Sequence, residues 1–113
     1  MAEYTQEEVN EMVKDRPLDA LEYASDLLTP EQLDWCVKKK PRAALEYALH
    51  LLSPEQFAYC VWEDPWAALA FARYRLSPAQ MYFCVKEEPW AALKYAPDLF
   101  TSEQRAFFEE LKS

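Results

Sequence analysis

Proline returns every 24 residues in this chain. Pro17, Pro41, Pro65 and Pro89 keep that step, and so do Pro30, Pro54 and Pro78. The register extends to Cys36, Cys60 and Cys84, to Leu21, Leu45, Leu69 and Leu93, and to Ala24, Ala48, Ala72 and Ala96. A fixed period of this length marks an array of small structural units. One such unit cannot bury its apolar face alone, so neighbours must stack against one another.

Each unit splits into two helical halves. The first reads Pro-x-Ala-Ala-Leu-x-Tyr-Ala-x-x-Leu-Leu in Pro41 to Leu52. Ala44, Leu45, Ala48, Leu51 and Leu52 fall on one stripe of a 3.6-residue helix, which predicts one helix of roughly ten residues. Proline suits its first turn, where the missing N–H has no helical partner. The second half opens Ser/Thr-Pro-x-Gln. Thr29, Ser53 and Ser77 stand at the N-cap, with Gln32, Gln56 and Gln80 three residues later. That is a capping box, in which hydroxyl and amide satisfy backbone N–H groups reciprocally. Thr5 with Glu8 and Thr101 with Gln104 repeat it without the proline. Leu33, Cys36 and Val37 form the inward stripe, matched by Phe57, Cys60 and Val61 and by Met81, Cys84 and Val85.

Residues 5–16 match a second half on their own. The register therefore predicts an N-terminal half-unit at 5–16, repeats at 17–40, 41–64 and 65–88, and a capping repeat at 89–113, all within one domain over 1–113. In the last copy Arg105, Phe108 and Glu109 replace the core residues, as terminal repeats turn polar where a neighbour is missing. Connections this short force sharp reversals. The expected fold is all-α: a right-handed α-solenoid of about four and a half 24-residue helix pairs, nine short helices in all.

Pro-x-Ala-Ala-Leu-x-Tyr-Ala followed by Leu-Ser-Pro-x-Gln resembles the leucine-rich repeat variant and related short two-helix repeats. Asp64-Pro65, Ala72 and Leu76-Ser77-Pro78 carry the likeness, which covers nearly the whole chain. The resemblance implies a curved helical stack and no particular chemistry.

The totals exclude several classes. There is no glycine, hence no phosphate-cradling loop and no dinucleotide fingerprint. With 12 basic and 20 acidic side chains the net charge is −8, which disfavours direct binding of nucleic acid or an anionic membrane. No apolar run approaches the ~20 residues a membrane span needs. MAEYTQEEVNEM lacks the basic-then-apolar order of a signal peptide. Three cysteines outside any CxxC spacing read as free thiols in a reducing compartment, so a cytoplasmic location is expected.

Nothing converges on catalysis, and the expectation is no enzyme, no metal and no cofactor. Cys36, Cys60 and Cys84 form a row, but stacked helices about 8–10 Å apart hold thiols too far apart for one zinc ion. His50 is the sole histidine; its equivalents Asp26, Tyr74 and Asp98 place it at a solvent-facing position, with no partner recognisable beside it. Glu7-Glu8, Glu63-Asp64, Glu87-Glu88 and Glu109-Glu110 are neighbours in sequence, and such neighbours on a helix do not face each other. They read as a solvated acidic edge. Lys38-Lys39-Lys40 and Arg42 occupy the equivalent edge in an earlier unit, a candidate anion site or a solubilising cluster.

The aromatics say most about function. Tyr23, Tyr47, Phe71 and Tyr95 form one column and Trp35, Tyr59, Phe83 and Phe107 another, which is packing. Trp62, Trp66, Trp90, Tyr74 and Tyr82 break the pattern, standing where other units carry polar or smaller residues. Exposed Trp and Tyr dominate binding energy at protein interfaces. The expected function is a protein–protein interaction module. It would bind a partner protein through these five aromatics, rimmed by Glu63, Asp64, Glu87 and Glu88. The alternative is an acidic, phage-type inhibitor that imitates nucleic acid and blocks a host-defence protein. The chain itself is expected to be a monomer or weakly self-associating.

Overall fold

The computed structural model describes residues 4–112. Among them the chain is all-α, with nine α-helices: α1 Gln6–Asp15, α2 Pro17–Tyr23, α3 Pro30–Lys39, α4 Pro41–Tyr47, α5 Pro54–Glu63, α6 Pro65–Ala72, α7 Pro78–Glu87, α8 Pro89–Tyr95 and α9 Ser102–Lys112. The side chains of Phe107 and Phe108, read from sequence as continuing the aromatic column and replacing the last cysteine, lie outside the described residues.

Helix starts follow the local chemistry closely. All five capping boxes form. In each, the N-cap hydroxyl accepts from the backbone N–H three residues on at 3.1 Å. The Glu or Gln side chain accepts in return from the N-cap N–H at 2.8–3.0 Å. The same bonds hold the Glu8 carboxyl below its ordinary pKa, chiefly through the Thr5 backbone N–H.

Helix ends work without glycine. Arg16, Lys40, Asp64 and Glu88 each precede a proline and adopt φ between −143° and −132° with ψ of 66–76°. Their N–H groups still donate to the carbonyl four residues back, at 2.7–2.9 Å. The residue before proline is pushed out of the helical region, so the chain reverses there. No described residue has a positive φ.

The first half of each unit differs from the single helix of about ten residues expected from its stripe. It is an α-helix of seven or eight residues followed by a 3₁₀ turn, at Ser25–Leu27, Leu49–Leu51, Arg73–Arg75 and Pro97–Leu99. Ala24, Ala48 and Ala96 leave the helical region at φ −129° to −142°, and the following bonds close i→i+3, as in Leu51 N–H to Ala48 C=O at 2.9 Å. The tightened turn redirects Leu28 and Leu52 into extended backbone ahead of the next cap.

The chain divides into two compact units, Met1–Asp64 and Pro65–Ser113, meeting at a repeat boundary. In the first, consecutive helices α1 to α5 pack in order, and like helices of successive copies also touch: α2 on α4, α1 on α3, α3 on α5. In the second, α6, α7 and α8 pack mutually. The cores are the repeat columns. Ala20, Ala44, Ala68 and Ala92 are fully buried, and so are Cys36, Cys60 and Cys84. The alanines leave room for close helix approach, and the leucine column fills the space beside them.

Candidate functional site

The three cysteine thiols are fully buried and free of disulfides. Burial pushes the Cys36 and Cys84 thiols up to about 11 and the Cys60 thiol, with help from Asp64, up to about 12. Neutral buried thiols are inert. His50 does have a partner: Nε2 lies 3.3 Å from an Asp26 carboxylate oxygen, with both side chains exposed. The repeat supplies that carboxylate, since Asp26 holds the same position one unit earlier. The pair ties two 3₁₀ turns together. Among the described residues no group of three or more His, Cys, Asp or Glu side chains is placed to hold a metal.

The two regular aromatic columns are not wholly packing, contrary to expectation: Tyr23 and Trp35 are 61% and 48% exposed. Trp35 Nε1 donates to Val13 C=O at 3.2 Å, and Tyr59 OH donates to Lys38 C=O at 3.3 Å. Each reaches back to the end of the previous capped helix. Lys39 Nζ sits 4.6 Å over the Trp35 ring, a cation–π contact.

In the first unit a groove of about 480 Å³ opens over α2, α4 and the end of α5. Leu18, Ala43 and Tyr47 give it apolar lining, Lys39, Lys40 and Arg42 bring positive charge, and Glu46, Glu63 and Asp64 bring negative charge. Trp62, on α5, is 68% exposed and is not part of this lining. The lysine cluster therefore does not stand alone as an anion site; carboxylates share its groove.

In the second unit the equivalent groove, about 400 Å³, lies over α6 and α8. Trp66 stands where Leu18 stands in the first, Trp90 where Arg42 stands, and Lys94 where Glu46 stands. The sequence-selected Trp66 and Trp90 thus line one groove. Trp66 is half-buried and packs edge-on against Tyr95 at 5.5 Å and Phe71 at 6.4 Å, so it is part of the packing as well. Trp90 is 45% exposed.

Tyr74 and Tyr82 line neither groove. They are 91% and 72% exposed, the former on a 3₁₀ turn and the latter on α7. Tyr74 is held in place: Arg73 pairs with Asp98, lies 4.8 Å from the Tyr74 ring and donates to its hydroxyl at 3.3 Å. Arg73 and Asp98 are 25 residues apart and so hold different positions of successive copies, which the 24-residue register does not pair. Of the carboxylates, Glu63 and Asp64 belong to the first unit and Glu87 and Glu88 to the second. Glu87 is exposed and Glu88 half-buried at the end of α7.

Charge is divided unequally. Residues 1–64 hold fourteen acidic and six basic side chains, whereas residues 65–113 hold six of each. All of the net −8 therefore resides in the first unit, which carries the exposed Tyr23, whereas Tyr74 and Tyr82 sit on an electrically neutral one. Among the described residues no helix is long and apolar enough to cross a membrane. The chain matches no protein-family model, no characterised protein and no solved structure in the comparisons made.

Proposed function

We propose that the chain is a protein-binding module, a short right-handed α-solenoid of 24-residue helix pairs akin to leucine-rich-repeat-variant units. Like-on-like packing of α2 on α4, α3 on α5 and α6 on α8 supports the repeat architecture. It acts by stoichiometric capture and performs no turnover. The observation that carries the function is the exposure of Tyr74 and Tyr82, at 91% and 72%, on a unit of zero net charge. Solvent-facing tyrosines held on short helical elements give a partner large contact area at low entropic cost.

A second reading rests on the charge division. An acidic mimic that blocks a nucleic-acid-binding protein would act through residues 1–64, where the surplus of eight carboxylates lies. One experiment separates the two. A partner captured from the native source is titrated against wild type, Tyr74→Ala/Tyr82→Ala and Glu63→Gln/Asp64→Asn, across a salt series. The binding module predicts at least about tenfold weaker binding for the tyrosine variant, with a shallow salt dependence. The mimic predicts loss with the neutralised carboxylates and a steep salt dependence. Unchanged affinity of the tyrosine variant refutes the primary proposal.

A further inference from the structure

From the groove of the first unit we infer that this face pairs with the same face of a second copy of the chain. Lys39 ends α3 and Lys40 caps it; Glu63 ends α5 and Asp64 caps it. These are the same two positions one repeat apart, and α3 packs on α5. The repeat thus sets a positive spot beside a negative spot, at about one helix spacing. Leu18, Ala43 and Tyr47 provide apolar lining in the same groove of about 480 Å³, which Arg42 and Glu46 of α4 share with one charge of each sign.

Such a face is complementary to itself. A half-turn brings each lysine pair of one copy onto the carboxylate pair of the other, twice over, which is the geometry of an isologous twofold contact. A partner surface of one sign would match one spot and oppose the other. The same face of a second copy satisfies both spots together.

Long-range repulsion between two acidic units opposes the pair, and salt screens it beyond about 8 Å at physiological ionic strength. The touching spots are screened less. Dimerisation therefore rises between low and physiological salt, opposite to simple ion-pair binding. This contact is independent of the foreign partner and of Tyr74 and Tyr82.

Sedimentation of the full chain tests it. Wild type should shift from 13.3 kDa toward twice that mass with rising concentration at physiological salt. Lys39→Glu/Lys40→Glu and Glu63→Lys/Asp64→Lys should each remain monomeric. Mixed in equal amounts they should form a dimer, because every clash in the separate variants becomes an attraction. If a double reversal fails to match wild type by circular dichroism, Lys40→Glu and Glu63→Lys are mixed with the same readout. A wild-type monomer up to the solubility limit overturns the inference. So does a dimer indifferent to Lys39→Glu/Lys40→Glu, or a mixture of folded variants that stays monomeric.

Discussion

Leu45→Ala is the sharpest test of what holds the core of the first unit together. Leu21, Leu45 and Leu69 are 0%, 1% and 1% exposed and occupy one position in three successive copies. Removing a buried leucine side chain costs the lost transfer energy plus the cavity left behind, about 2–5 kcal/mol. The surroundings favour the upper half of that range. Ala43, Ala44 and Ala48 of the same copy are also buried and have no side-chain freedom with which to fill a void. A chain of this length has about 6–17 kcal/mol of total stability at about 0.05–0.15 kcal/mol per residue, so one such substitution removes a large part of it. Leu93, the fourth member of the column, is only half-buried, and its replacement should cost less than about 2 kcal/mol. Urea unfolding followed by far-UV circular dichroism reads both values, with the slope m checking that the denatured state is unchanged. A cost below about 1 kcal/mol for Leu45→Ala, or equal costs for Leu45→Ala and Leu93→Ala, would refute the assignment of the core to this column.

Three further outcomes follow from the geometry. Ser53→Ala should cost about 1 kcal/mol in the same assay, since it opens a complete capping box, and Thr29→Ala should cost a similar amount. The cysteines should resist Ellman's reagent at pH 8 in the native protein and react at once in denaturant. Their raised folded-state pKa values also give a sign: stability is intact below about pH 9 and falls as pH climbs toward 11–12, readable as a drop in melting temperature. Arg73→Met should free Tyr74 from its ring and hydroxyl contacts, raising its fluorescence mobility, while far-UV circular dichroism stays unchanged.

Which features were legible in the sequence follows from the range of the forces involved. The capping boxes are complete within four residues, so Thr29-Pro30-Glu31-Gln32 specifies its own helix start wherever it sits. The helix reversals are equally local, because Pro17, Pro41, Pro65 and Pro89 exclude the helical region one residue earlier. The 3₁₀ break after Ala48 was not legible. Alanine is the strongest helix former, and Leu51 and Leu52 continue the same stripe, so local preference argues for one helix. Tertiary packing overrides it. A single trace exists in the fourth copy, where Pro97 opens the turn and cannot donate to the carbonyl four residues back. The His50–Asp26 pair was legible in principle from the 24-residue register alone. The Arg73–Asp98 bracket was not, because it joins different positions of two units. Opposite charges at Lys39-Lys40 and Glu63-Asp64 were visible in the sequence, but the apolar lining of the groove they share needed the fold.

Oxidative footprinting of the chain, free and in complex with the captured partner, addresses the central claim at the residues themselves. Tyr74 and Tyr82 are highly exposed and should be labelled readily in the free chain. If they anchor the partner, their labelling falls several-fold in the complex while that of Tyr23, on the first unit, is unchanged. Full labelling of Tyr74 and Tyr82 in a saturated complex would contradict binding through the neutral aromatic unit.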